Sequence, residues 1–254
     1  MLHLTRQFAT GFAIALALSG AVFAENIVVM GDDAYPPVMY LENGTPKGIL
    51  VSILKKVEKI THDTYEIRLF PWKRSYELAV RGEGGIMGLS YTEERSKLFD
   101  YSESVYEDNI QIVVLKGKTF SYVTLADLNA KKIGGVNGAS YGQEVDDAIA
   151  RGLFSVDRDV SQIGRLKKLL AGRLDAAFIG NGQVGFDKLL NSTPELKNAK
   201  DKFEILPVPL AKDPMHLAFA KGMAKKDVVD RFDKAIDKLK KSGELKKVLS
   251  EAAK

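Results

Sequence analysis

The chain has 254 residues, no cysteine and a formal charge of +4. That length suits one large domain or two lobes of ordinary size, and the lack of cysteine excludes a disulfide framework, a thiolate metal site and a lipidated leader. The basic excess is mild, and the lysines of segment 225–254 alternate with acids as on a solvated helix face, so nucleic-acid binding is not expected.

The chain opens with Arg6, an uncharged apolar run from Phe8 to Phe23, and small residues at Val22-Phe23-Ala24. This is the pattern of a secretory signal peptide over residues 1–24, with the mature chain starting near Glu25 and exported to the periplasm. The run is broken by Thr10, Gly11, Ser19 and Gly20 and is short of the roughly 20 apolar residues of a bilayer span.

Short apolar runs then alternate with helical spacing, which predicts an α/β protein with mostly parallel sheets. Ile27 to Met30 reads as a strand. Ile49, Leu50, Ile53, Leu54, Val57 and Ile60 recur at helical spacing, and Tyr65 to Phe70 reads as the next strand. Pro71 can start a helix that Gly82 ends, with Tyr76, Leu78, Ala79 and Val80 near its buried side. Ile86 to Leu89 and Asn109 to Leu115 are further strands. A second series follows: Lys132 to Val136 as strand, Ser140 to Arg151 and Ser161 to Ala171 as helices, and Asp175 to Ile179 as strand. Phe203 to Val208 and Met215 to Ala220 complete the strands, and Val228, Phe232, Ala235, Ile236 and Leu239 line a closing helix. Two similar series suggest two lobes; periodicity shows one long strand leading between them near residue 112 and leaves a second crossing near 217 open.

The order and spacing of several short motifs resemble the family 3 extracellular solute-binding proteins. They are Tyr35-Pro36-Pro37, Asn43-Gly44 with Gly48, Pro71-Trp72, Ser90-Tyr91-Thr92-Glu93-Glu94-Arg95 leading to Phe99-Asp100-Tyr101-Ser102, Leu125-Ala126-Asp127-Leu128, Gly138-Ala139-Ser140, Ala171-Gly172-Arg173-Leu174-Asp175-Ala176 and Leu239-Lys240-Lys241-Ser242-Gly243. The resemblance implies a type II periplasmic binding fold of two αβ lobes joined by two hinge strands, with a ligand trapped between them by closure. It places lobe 1 at 25–110 and 211–254, so that the C-terminal segment returns to it, and lobe 2 at 111–210. The implied function is capture of a small carboxylate-bearing solute, an amino acid or a relative of one, for the inner-membrane permease of an ABC importer. A monomer with no cofactor, no metal site and no catalytic residue is expected.

The same resemblance places Arg95 on the ligand's carboxylate, a task for which guanidinium offers paired donors in a planar fork. Ser90, with backbone around Gly88, is a second contact, although Ser90-x-x-Glu93 equally reads as a capping box. Ala139 and Ser140 would meet the anion at a helix start, and Ser140-x-x-Gln143 is again a capping pattern. Tyr35 and Trp72 match aromatic pocket positions, and Asp32 stands where some relatives meet a basic side chain. Relatives usually carry an acid for the ligand's ammonium where this chain has Gly180; Asn181 beside it accepts a hydrogen bond but neutralises nothing. Either another acid takes that place or the ligand is not a standard α-amino acid. Asp175 is expected to be structural, and Arg74 to lie on a solvated helix face. Two other functions compete: a ligand sensor for a membrane receptor, and an enzyme of the cyclohexadienyl-dehydratase kind, which needs a positioned acid in the cleft.

Overall fold

A computed structural model describes residues 25–252; the expected signal peptide lies outside the described residues. Among these, a ten-stranded sheet runs in the order Ser155–Asp159, Lys132–Val136, Ala176–Ile179, Tyr106–Leu115, Ala211–Ala220, Gly85–Ser90, Asn26–Asp32, Thr64–Phe70. Two short strands flank this path: Phe203–Ile205 on Tyr106–Leu115, and Phe99–Tyr101 on Ala211–Ala220.

Parallel pairing holds within each end of the sheet, as the αβ alternation predicts. The middle differs, because its two long strands are antiparallel to each other and to their neighbours. Both long strands pass from one half of the molecule to the other, and they lie side by side only over Tyr106 to Ile110 and Ala211 to Met215. The second crossing that periodicity left open is therefore Ala211–Ala220.

Each half is a sheet covered on both faces. In the first, Ile53, Leu54 and Val57 of helix Ile49–Thr61 meet Val228, Phe232 and Ile236 of helix Lys226–Lys241, so the C-terminal segment does return there. Trp72, Ala79, Ile86, Leu89 and Phe99 pack on the opposite face. In the second half Ile112 and Val114 point into one core with Ile133, Tyr141 and Phe178, while Val113 points into the other with Leu166, Leu169 and Phe186, the period of two that a strand imposes. Burial of each such aliphatic or aromatic side chain contributes about 1.5–3 kcal/mol.

Several boundaries differ from the sequence reading. The helix expected from Ser140 begins only at Gln143, because Gly142 takes a positive φ of 93° that stops the turn from extending backwards. The helix from Pro71 buries Trp72, Ser75 and Ala79 and leaves Val80 exposed, so its inward face is set by Trp72 rather than by the run at its end. Strand 203–208 stops at Ile205, ahead of Pro207, which cannot donate to a ladder. The polar strand Ser155–Asp159 has no apolar alternation to betray it.

Candidate functional site

The two halves enclose a cavity lined on one side by Tyr35, Trp72, Gly88 and Ser90 and on the other by Ala139, Ser140, Gln162, Phe178 and Gly180, with Asp108 and Asp213 at the crossing strands. Its volume is about 70 Å³, on a measure where one water needs about 10–15 Å³. Hydrogen bonds span the cleft beside it. Trp72 Nε1 and Arg95 Nη2 both donate to Gly138 O, at 3.2 and 3.1 Å. Glu93 N–H donates to Gln143 Oε1 at 3.3 Å, and Asn181 Nδ2 to Pro36 O at 3.4 Å.

Of the residues singled out in the sequence, Asp32, Tyr35, Trp72, Gly88, Ser90, Ala139 and Ser140 line the cavity; Arg95 and Asn181 do not. Arg95 is buried beside it. Its Nη1 donates to Ser90 O at 3.2 Å, and its guanidinium lies 4.9 Å from the Tyr76 ring centre. No carboxylate lies within ion-pair distance of Arg95 among the described residues, so its charge is held by backbone carbonyls and an aromatic face.

The capping-box readings both fail for local reasons. Helix Glu93–Leu98 is capped by Thr92, whose hydroxyl accepts from Arg95 N–H at 3.1 Å. Ser90 is thereby freed, and it donates to Asp213 Oδ2 at 2.6 Å. Ser140 lies two residues before the N-cap Gly142 and donates to Asp146 instead. Gly88 has φ +87°, and a Cβ there would press Leu50 Cδ1 at 3.1 Å, so a glycine lets this strand bend at the cavity wall.

Gly180 is explained by its neighbours. A Cβ at that position would fall 1.7 Å from Tyr35 Oη and 2.6 Å from Asp108 Oδ2. The space that a side chain at 180 would take is therefore held by the Tyr35 phenol and the Asp108 carboxyl, which hydrogen-bond to each other. Asn181 N–H donates to the other oxygen of Asp108 at 2.6 Å, with Asn181 at a left-handed φ of 70°.

Four charged or amide-bearing lining residues, Asp108, Asp213, Gln162 and Arg165, were not found from the sequence. Asp108 and Asp213 stand opposite each other in register at the centre of the crossing ladder, 2% and 6% exposed. Like charges so placed oppose each other. Burial raises the Asp213 carboxyl to about 7; the Ser90 hydrogen bond opposes the shift and Asp108 adds to it. Asp108 is also raised by burial, against the hydrogen bonds from Tyr35 and Asn181. Asp32, which accepts from Ala34 N–H at 2.9 Å, is raised to about 7, again chiefly by burial. The other two are Gln162, whose Oε1 accepts from Gly180 N–H at 3.1 Å, and Arg165, 1% exposed and forked onto Asp159 at 2.8 and 3.3 Å. Arg165 Nη1 also donates to Phe178 O. The glycine of strand Lys132–Val136 makes room for it, since a Cβ at Gly134 would sit 2.6 Å from Arg165 Cγ. A pairing such as Arg165 with Asp159 has no sequence period, and Asp213 lies outside the strand read from Met215 to Ala220, so neither was signalled.

A cleft between two αβ halves joined by two crossing strands defines a type II periplasmic binding protein fold. The chain belongs to the bacterial extracellular solute-binding proteins, family 3, whose model matches residues 27–252. It is 27% identical over 221 residues to the probable amino-acid-binding protein YxeM of Bacillus subtilis, covering 84% of this chain and 78% of that one. To the ABC transporter arginine-binding protein 1 of Escherichia coli it is 28% identical over 167 residues, 64% of this chain and 63% of that one. Its fold is similar to a histidine kinase sensor domain that resembles periplasmic binding proteins, with TM-score 0.75 at 21% identity over 89% of this chain and 95% of that. It is similar also to an arginine third transport system periplasmic binding protein from Legionella pneumophila, with TM-score 0.74 at 16% identity over 90% and 100%.

Proposed function

We propose that this protein is a periplasmic receptor that captures a small carboxylate-bearing solute, an amino acid or a close relative, and presents it to the permease of an ABC importer. The observation that carries this reading is the cavity between the two halves, with hydrogen bonds from Trp72, Arg95 and Glu93 reaching across its edge. Family membership supports the solute-binding part, and the names of the Bacillus and Escherichia relatives support an amino acid and an ABC transporter. Lobe 1 is residues 25–110 and 211–254, lobe 2 is 111–210, and the crossing strands are the hinge.

Arg95 is the group for the ligand's carboxylate. Its partners are neutral carbonyls, so its charge is not cancelled, and opening of the lobes breaks the bond from Nη2 to Gly138 O and frees that nitrogen for a ligand, while Nη1 stays on Ser90 O. Ser90, Gly88, Ala139 and Ser140 border that position, while Tyr35 and Trp72 enclose the rest of the guest. A thermal-shift screen of amino acids, dicarboxylates and small peptides tests this, because a ligand that binds only the native state raises the melting temperature. At least one amino acid or amino-acid-like carboxylate should do so; a screen in which none does would sink the reading.

One observation favours a second reading, that the loaded protein reports to a membrane receptor: a histidine kinase sensor domain shares its fold. Permease and ATPase genes beside the coding gene would decide for import, a kinase gene for sensing. The dehydratase alternative has the raised carboxyls of Asp32 and Asp213 in its favour. Turnover of prephenate or arogenate by the purified protein would establish it.

A further inference from the structure

Away from the cleft, at the head of strand Asn26–Asp32, a group of charges is one positive charge short. Asn26 stands in register with Thr64, and Thr64 N–H donates to Glu25 O at 2.8 Å, so Glu25 and Asp63 meet where the two strands begin. Helix Lys226–Lys241 supplies Arg231. Its Nε and Nη2 reach the two Asp63 oxygens at 3.1 and 3.3 Å, Nη2 also reaches Glu25 Oε2 at 3.4 Å, and Nη1 donates to Asp227 at 2.7 Å. Lys225 pairs with the other oxygen of Glu25. Among the described residues these ion pairs form a closed set of three carboxylates and two cations. The Asp63 side chain is 0% exposed, where an uncompensated negative charge is costly. Its one further donor among the described residues is Glu25 N–H, at 3.1 Å from Oδ1.

We infer that Asp63 is the receptor for a new amino terminus: removal of the leader at the Ala24–Glu25 bond turns the Glu25 amide into an α-ammonium, which pairs with this buried carboxylate and brings the group to neutrality. The inference deepens the periplasmic reading above and rests on the export it contains. In the cleavage, water gives its hydroxyl to the Ala24 carbonyl carbon, the C–N bond breaks, and the Glu25 nitrogen leaves as an amine that is protonated at neutral pH. Before cleavage that nitrogen offers Asp63 one N–H dipole. Afterwards it offers a unit charge and three N–H groups at the same place, and a unit charge at 3.1 Å from a buried carboxylate outweighs a single dipole. The position is selective. A terminus one residue earlier or later displaces the nitrogen by a chain step of about 3.8 Å, too far to keep the hydrogen bond. The strand anchored in this way runs from Asn26 to Asp32 at the cavity wall, so processing secures one border of the cleft.

Intact mass of the chain exported with its own leader should show Glu25 as the first residue. A first residue elsewhere overturns the inference and leaves the export reading intact; a retained leader overturns both. On the exported chain, acylation of the α-amine is then timed by peptide mass spectrometry, with the lysine side chains as internal controls. Only the uncharged amine reacts, so at about pH 7 a terminus held as ammonium should acylate roughly tenfold more slowly than in a chain made to begin at Ala24, the effect of about one pKa unit. Asp63→Asn should restore the fast rate in the chain that begins at Glu25, which it would not do if the amine were merely shielded. The Glu25 chain should also melt about 2–4 °C above the Ala24 chain. Equal acylation rates in the Glu25 and Ala24 chains overturn the inference whether or not Asp63→Asn folds, and so does a slow rate that survives Asp63→Asn.

Discussion

The two halves of the cleft each bury an arginine, and the two differ in what they are given to neutralise them. In the second half Arg165 has a carboxylate: Asp159 takes two of its N–H groups and the Phe178 carbonyl a third. In the first half Arg95 has only carbonyls and the face of Tyr76. A paired arginine is electrically finished and holds the fold. An arginine on neutral acceptors keeps a field that an incoming anion can use, because dipoles orient around a charge without cancelling it. Family resemblance pointed to Arg95, and in the proposed reading the difference in partners supports that one, and not the more deeply buried one, as the group for a ligand.

The largest effect should come from breaking the finished pair. Arg165→Ala removes the forked partner of the Asp159 side chain, 9% exposed, leaving it only Lys168 at 4.0 Å among the described residues, and should cost about 3–5 kcal/mol of stability, read as a lowered midpoint in denaturant unfolding. A ΔG within error of wild type would show that the pair is dispensable. Arg95→Ala should do the reverse: ligand affinity falls by about 2–5 kcal/mol in calorimetry while the unfolding midpoint moves far less. Equal losses of stability in the two variants would erase the distinction between them.

How much of this was legible differs between fold and site. The helix at Ile49–Thr61 was readable because one-sided burial writes its period into the sequence. The antiparallel middle was not, since pairing direction depends on which strands meet, and Tyr106–Leu115 has the same alternation in either case. Ser90 and Ser140 satisfied a capping pattern, but caps compete: Thr92 is better placed for one helix, and the positive φ of Gly142 removes the other helix's first turn. Gly180 was legible as a departure and not as a cause. Its cause is a tertiary contact with Asp108, seventy-odd residues away, as the bond from the next residue in the chain, Asn181, to Asp108 also shows. The contact can be checked directly. Gly180→Ala places a methyl on Tyr35 Oη and should cost about 1–3 kcal/mol through overpacking, together with ligand affinity; a variant with unchanged melting temperature and binding would mean that Tyr35 moves aside freely.

The smallest effect sharpens the comparison most, because it asks what the cleft's acids do when no guest is present. Burial raises Asp213 from its ordinary 3.8 to about 7, so the folded protein prefers the protonated carboxyl. The stability this confers is complete below pH 3.8 and is lost as pH rises through about 7. For one such group the loss between about pH 6 and 8 is about 1.4 kcal/mol. The groups that set the shift are Ser90, Asp108, Arg95 and Asp146. His216, whose own pKa burial lowers, contributes with its own pH dependence, so the informative quantity is the difference between wild type and Asp213→Asn. The ligand-free wild type should lose melting temperature relative to Asp213→Asn as pH climbs from about 6 to 8. Two parallel pH profiles would instead mean that folding does not change the protonation of Asp213 across that range.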